Sequence, residues 1–311
     1  MAKFNHKHIL TASQFTRKNL EQIFEKAREL EPLNKPEKGT DLLKGYMIAL
    51  LFYEPSTRTR NSFDAAAKNL GAWTLTTESA SISSSAAKGE SIEDTIRIVN
   101  GYSDLIVIRH PEIGSAKRAA AVSEVPVINA GDGAGSHPTQ SLLDLYTIEK
   151  ELGKIDGVSI GLVGDLLFGR AARSLCELVT VFKNIKFYFV SPTSLKMRPD
   201  IKNLLKRKKF KFFETEKLDE VLGKVDVLYM TRVQKERFAA EEDYLKVKGV
   251  YVLGRKHLRM MKKYSIVIHP LPRVDEIAYE VDKDHRAAYF RQAKNGVAIR
   301  MALLALILGK E

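Results

Sequence analysis

Short apolar runs recur along this chain, each followed by a stretch whose apolar residues return at helical spacing, and no other feature restricts the fold as much. YMIALLFY, AWTLTT, DLIVIR and VPVIN occur in the first half, and VSIGLVG, KFYFVS, FKFF, DVLYMT and IVIH in the second. Runs of this length, rich in β-branched and aromatic residues, read as strands rather than helices. Near-continuous apolarity means burial on both faces, which happens when helices cover both sides of a parallel sheet. The pattern therefore predicts an α/β protein with mainly parallel sheets flanked by helices.

The helical stretches locate the domains. An opening helix over about residues 16–31 starts at Thr16, stops before Pro32, and keeps Leu20, Ile23, Phe24, Ala27 and Leu30 on one face. A second begins with Pro138 in its first turn and runs through Leu142, Leu145, Tyr146 and Ile148 to a stop near Gly153. The strand-helix pattern then restarts, which predicts one domain over residues 1–150 and another over 151–286. The last helix, roughly residues 287–309, is apolar enough to pack back on the first domain, so 287–311 is expected to join it. With 311 residues, 44% of them hydrophobic, there is material for two cores.

Composition removes several function classes. The single cysteine, Cys176, excludes a disulfide framework and paired-cysteine zinc patterns, and it reads as a small buried helix residue. MAKFNHKHIL has no apolar signal-peptide core, and the longest apolar run, MALLALIL, falls well short of the ~20 residues that span a bilayer. A cytosolic location without membrane contact is the expectation. A net charge of +12 and pI near 9.5 leave nucleic acid, membrane surfaces and small anionic substrates open. The densest basic run, KNLLKRKKFK at 202–211, also carries Leu204, Leu205 and Phe210; it reads as a solvated helix edge entering a strand, and no nucleic-acid motif accompanies it.

The sharpest local signal is FYEPSTRTRNSFDAAAKNLG, residues 52–71. Pro55 ends the apolar strand, and Ser56, Thr57, Arg58 and Thr59 open a helix whose core face is Phe63, Ala66, Ala67 and Leu70. First-turn amides lack backbone partners and sit at the positive end of the helix dipole. Hydroxyls and a planar guanidinium there suit phosphate oxygens. Ser/Thr caps beside surface arginines are the plainer reading of the same letters. Other polar residues also follow strands, where open α/β sheets place ligands: Arg109 in RHP; His137 and Gln140 in HPTQ after a glycine-rich turn; Asp165 and Arg170; Arg232 and Gln234; and HPLPR at 269–273. There is no GxGxxG, Walker lysine motif or metal-ligand spacing, so neither a nucleotide cofactor nor a metal is expected.

Taken in order, STRTR, SSSAAKGE, RHP, HPTQ, GDLLFGR, TRVQKER and HPLPR closely resemble the catalytic chains of the aspartate carbamoyltransferases, within the aspartate/ornithine carbamoyltransferase superfamily, over nearly the whole chain. Ornithine enzymes carry a cysteine in an HCLP motif where this chain has His269, Pro270, Leu271 and Pro272, and they lack TRVQKER in this form. The resemblance thus implies transfer of a carbamoyl group from carbamoyl phosphate to L-aspartate, in de novo pyrimidine biosynthesis. An ornithine-type enzyme and a catalytically silent scaffold are the rival readings. Leu167 and Phe168 depart from the lysine and tyrosine of many relatives.

The same resemblance implies roles. Ser56, Thr57, Arg58, Thr59 and Arg109 hold the phosphate; Thr59, Arg109 and His137 address the carbamoyl oxygen; Gln140 and the Leu271 carbonyl, before Pro272, orient the carbamoyl amino group. Arg170, Arg232 and Gln234 take the aspartate carboxylates. Ser84 and Lys88, in a Ser/Ala/Gly-rich loop, are expected to enter the neighbouring subunit's site in a homotrimer, which regulatory chains can join in this family. Glu54 and Arg237 resemble the pair that stabilises domain closure, and Pro272 the family's cis proline.

Overall fold

The structure is a computed structural model and describes residues 4–78 and 89–310. The chain forms two compact units, Met1–Leu142 with Lys294–Glu311, and Leu143–Ala293.

In the first unit, β1 (Met47–Phe52), β2 (Trp73–Glu78), β3 (Leu105–His110) and β4 (Val127–Asp132) form a parallel sheet in the order β2-β1-β3-β4. The interior strands follow the apolar pattern: Ile48 to Phe52 and Leu105 to Ile108 are buried. The edge strand β2 does not, and leaves Trp73 69% exposed, because an edge strand has one neighbour and less cover. Helices Arg17–Leu30, Thr57–Asn69, Ile92–Asn100 and Ser115–Val122 belong to this unit. Thr16 caps the first, accepting the Asn19 N–H at 3.3 Å, and Ser91 caps the third, accepting the Asp94 N–H at 3.1 Å. Most of the final helix, Tyr289–Ile307, is grouped here too, and the guanidinium of Arg300 lies 5.0 Å from the centre of the Phe63 ring. Each fully buried Leu, Ile or Phe side chain contributes about 1.5–3 kcal/mol.

In the second unit, β5 (Ser159–Val163), β6 (Lys186–Val190), β7 (Lys211–Thr215), β8 (Val227–Met230) and β9 (Ile266–Ile268) form a parallel sheet in the order β7-β6-β5-β8-β9. Cys176, on the Arg170–Val179 helix, is fully buried, and burial pushes its thiol pKa up.

Both sheets reverse direction once. The chain leaves β1 towards β2 but returns to the other side of β1 as β3; it leaves β5 towards β6 and β7 but returns on the far side as β8. At each reversal the connections part to opposite sides and leave a crevice at the carboxyl ends of the two strands. The second crevice needs glycine at its base. Gly164 has φ +111°, and a Cβ there would stand 2.2 Å from the Thr231 carbonyl oxygen, while the Thr231 N–H donates to the Val163 carbonyl at 2.8 Å.

Gly164→Ala is expected to cost about 3 kcal/mol or more, from overpacking against backbone and a left-handed φ together. Gly153→Ala, at φ +71° but with open space around the added methyl, is expected to cost only about 1 kcal/mol. Urea unfolding of the two variants checks the contrast; equal costs would remove close strand approach as the reason for Gly164.

Candidate active site

In the first unit the site grows from the end of β1. Pro55 donates no N–H to the sheet, and Ser56 lies just outside the Thr57–Asn69 helix at φ −158°, ψ 78°, its hydroxyl making no cap bond to that helix. The amide-rich helix end therefore opens at the β1/β3 crevice beside the Ser56 hydroxyl, with Thr57 and Arg58 exposed and Thr59 buried. The two arginines of STRTR are used differently: Arg60 pairs with Glu78 of β2 at 3.3 Å, whereas Arg58 stays at the helix mouth.

Arg109 comes from β3, directly opposite Phe52 of β1 in the pairing register. Its side chain is 13% exposed, and its Nη2 lies 2.9 Å from Glu54 Oε2, so strand pairing and one ion pair hold it over the same crevice. The neighbouring His110 ring packs 4.8 Å from that of Tyr53, and burial lowers its pKa. His137 and Gln140 arrive through the turn after β4, which Asp132 organises. Asp132 accepts N–H bonds from Ser136 at 2.6 Å and Gly114 at 2.9 Å. A Cβ at Gly135 would come within 2.7 Å of Asp132 Oδ1. His137 is buried, and its carbonyl accepts the Gln140 N–H at 3.0 Å.

In the second unit, the ends of β5 and β8 carry the guanidinium groups. Asp165 is fully buried; burial raises its pKa against the lowering by hydrogen bonds, among them the Phe168 N–H at 2.9 Å and Gln234 Nε2 at 3.4 Å. Arg170 opens the Arg170–Val179 helix, a position where a cation opposes the helix dipole, so helix stability does not explain it. Glu236 engages Arg232 through Nη1 and Nη2, leaving the Nε edge of the fork for another carboxylate; the pairing raises the Arg232 pKa. The Arg237 N–H donates to the Gln234 carbonyl at 2.9 Å, and Arg237 Nε is buried without a hydrogen-bond partner among the described residues.

The loop after β9 is built around a buried histidine. The Leu271 N–H donates to His269 Nδ1 at 2.7 Å, which assigns the ring proton to Nε2, 2.6 Å from Glu276 Oε1. The His269 N–H donates to Gln292 Oε1 at 2.8 Å, and Gln292 Nε2 donates in turn to Asp144, which also accepts the Tyr229 hydroxyl at 2.8 Å. These bonds hold Leu271 at φ +52° with a cis peptide to Pro272. Arg273 of the HPLPR motif is a structural residue, paired with Asp282 and 4.6 Å from the Tyr279 ring centre.

The structure thus brings Ser56 to Thr59 beside Arg109 and Glu54 in one unit, with His137 and Gln140 on the adjoining strand end. In the other, Gln234 meets Asp165 at 3.4 Å, Arg232 follows the adjacent strand within electrostatic reach of it, and Arg170 opens the helix after the Asp165 loop. Ser84 and Lys88 lie outside the described residues. Sequence reasoning missed Asp132, Glu236 and Glu276 as site-shaping residues. The signals were a carboxylate inside a glycine-rich turn, one four positions after Arg232, and one seven after His269.

Residues 7–150 match the family described as "Aspartate/ornithine carbamoyltransferase, carbamoyl-P binding domain", and residues 156–307 its "Asp/Orn binding domain". The chain is 54% identical to "Aspartate carbamoyltransferase 1, chloroplastic" of Pisum sativum, covering 98% of this chain and 80% of that protein. It resembles the crystal structure of the aspartate transcarbamoylase catalytic subunit of Methanocaldococcus jannaschii with TM-score 0.89 and 48% identity, over 97% of this chain and 98% of that one. The Trypanosoma cruzi aspartate transcarbamoylase in complex with N-(phosphonacetyl)-L-aspartic acid gives TM-score 0.89 and 41% identity, over 96% and 94%. The chloroplastic relative overturns the expected cytosolic location. A lone thiol and the lack of a long apolar run apply equally inside an organelle, so those criteria do not discriminate. Among the described residues no helix is long and apolar enough to cross a membrane.

Burial lowers the His269 pKa below the ordinary 6.5, against the raising effect of Glu276. The unfolded chain therefore binds a proton at this position before the folded chain does, and stability from it is present above about pH 6.5 and lost as the pH falls. Urea unfolding between neutral and mildly acidic pH is expected to show a shallower loss in His269→Gln than in the parent, by up to ~1.4 kcal/mol per pH unit. Parallel pH profiles would remove His269 as the titrating group.

Proposed function

The chain belongs to the aspartate/ornithine carbamoyltransferase family, and from that premise we propose that it moves the carbamoyl group of carbamoyl phosphate to the α-amine of L-aspartate, a step of de novo pyrimidine synthesis. The observation that carries this reading is the Ser56–Thr59 helix mouth at the β1/β3 reversal, with Arg109 supplied by the adjacent strand. The relatives named for aspartate, at about half identity over nearly the whole chain, support the choice of acceptor.

Ser56, Thr57, Arg58, Thr59 and Arg109 take the phosphate dianion, a fork-shaped guanidinium being suited to paired phosphate oxygens. Thr59, Arg109 and His137 donate to the carbamoyl oxygen, where negative charge develops as the amine attacks. Preorganised donors of this kind are each worth about 10²–10³ in rate. Gln140 and the carbonyl of Leu271, before Pro272, orient the carbamoyl amino group. The aspartate carboxylates pair with Arg170 and Arg232, assisted by Gln234, with Glu236 holding the far edge of the Arg232 fork. The neutral amine nitrogen forms the new C–N bond, the C–O bond to phosphate breaks, and the proton released by the amine is taken up by the departing phosphate, which leaves as hydrogen phosphate; no covalent intermediate with the protein is needed.

Glu54 has a further part. It holds Arg109 at 2.9 Å, so bound phosphate competes with it for that guanidinium, and the displaced carboxylate becomes available to Arg237 as the domains close. Ser84 and Lys88 complete the site from a neighbouring chain of a homotrimer.

Arg58→Ala is expected to lower kcat/KM for carbamoyl phosphate by about 10²-fold or more, and Arg232→Ala to raise the KM for aspartate by a similar factor. Product analysis with aspartate and with ornithine as acceptor measures both; citrulline as the product would overturn the acceptor. Mixing inactive Arg58→Ala and Lys88→Ala chains under exchange conditions is expected to restore part of the activity, since some shared sites then carry neither lesion. Continued inactivity despite demonstrated subunit exchange would refute the shared site.

A further inference from the structure

The end of the basic run that reads as a solvated helix edge, residues 208–211, forms one wall of a cleft of about 760 Å³ in the second unit. The cleft lies at the amino ends of β6 and β7, where Lys186 and Lys211 are paired first residues, so the sheet separates it from the strand ends carrying Asp165 and Arg232. Two segments line it, 180–186 and 208–211, and they bring Lys183, Lys186, Lys208, Lys209 and Lys211 to one concavity. Phe182 and Ile185 are buried beneath them.

Three observations set this cluster apart from ordinary surface lysines. Among the described residues none of the five ammonium groups has a carboxylate partner, whereas other lysines of the same unit do: Lys202 with Glu214, Lys246 with Asp243 and Lys262 with Asp226. Lys208 Nζ donates to Thr180 Oγ1 at 2.9 Å across the cleft, joining the two walls and fixing one cation. Lys209 follows the Pro199–Arg207 helix at φ +61°, a left-handed closing position that favours glycine, so helix closure alone does not account for lysine there.

Like charges held together in a concavity raise the local potential and concentrate anions. The volume falls within the ~300–1,000 Å³ of small-molecule sites, which favours a compact ligand over a nucleic-acid strand. We propose that this cleft binds a small, multiply charged phosphate compound carrying a polyphosphate group, at a site separate from that of the reaction. The ligand spans the cleft between Lys183 and Lys186 on one wall and Lys208 and Lys211 on the other, and several phosphoryl groups are required to meet them together.

Calorimetric titration of the full chain with inorganic tripolyphosphate at about 0.15 M salt tests this. Saturable binding at one site per chain, beyond the phosphate site of the first unit, is expected, about tenfold tighter than for inorganic phosphate. The triple variant Lys183→Gln, Lys208→Gln, Lys211→Gln is expected to weaken it by about tenfold or more. A control with the same charge loss, Lys196→Gln, Lys248→Gln, Lys256→Gln, retains it, as does Arg58→Gln, which separates this cleft from the phosphate site of the first unit. The proposal is overturned by absence of saturable binding, by equal losses in the two triple variants, or by loss in Arg58→Gln alone. It is equally overturned if a short single-stranded oligonucleotide binds more tightly than tripolyphosphate through the same lysines.

Discussion

Parallel pairing between strands that are not consecutive, β1 with β3 and β5 with β8, is the constraint on which both candidate sites depend. Phe52 stands opposite Arg109 in the first pair, and the Tyr53 N–H bonds the Arg109 carbonyl at 2.9 Å. That register places a β3 guanidinium beside a helix mouth that follows β1, although more than fifty residues of chain separate them. Shifting the register by one residue would turn Arg109 to the opposite face. In the second pair, Val163 accepts both the N–H and the hydroxyl of Thr231, so the segments bearing Asp165 and Arg232 diverge from one hydrogen-bonded point.

Irregular backbone near a buried site must find hydrogen-bond partners, and here carboxylates supply them. Asp132 accepts from the turn leading to His137, Asp165 from the loop before Arg170, and Glu276 from Val274, Asp275 and His269. Burial disfavours the charged form of Glu276, but the His269 bond and its neighbours outweigh that and hold the Glu276 pKa below the ordinary carboxylate value. Each anion also lies in a unit rich in guanidinium groups. The result is a set of loops whose shape is set by buried acceptors.

Much of this was legible from the letters. Nine apolar runs became nine strands among the described residues, Thr16 caps the opening helix where the letters start it, and Cys176 is buried. Other features resisted reading because they depend on residues far apart in the chain. STRTR contains two arginines that look equivalent, and only the position of Glu78 on β2 assigns Arg60 to an ion pair. AWTLTT has strand composition, but whether its tryptophan is covered depends on its place at the edge of the sheet. Glu54 is legible as a charge at a strand end, yet its engagement with Arg109 follows from the β1/β3 register.

By itself the sequence determined the class of element at each position, the apolar faces, the caps and the chemical types gathered at strand ends, because these follow from local periodicity and side-chain chemistry. Tertiary structure decided strand order, hence which strand ends are neighbours, which arginine of STRTR pairs with the edge strand, and which lysines converge on a cleft. Those outcomes rest on contacts between residues distant in sequence, where hydrogen-bond register and close backbone approach, as at Gly164 and Thr231, select one arrangement from many with the same local pattern.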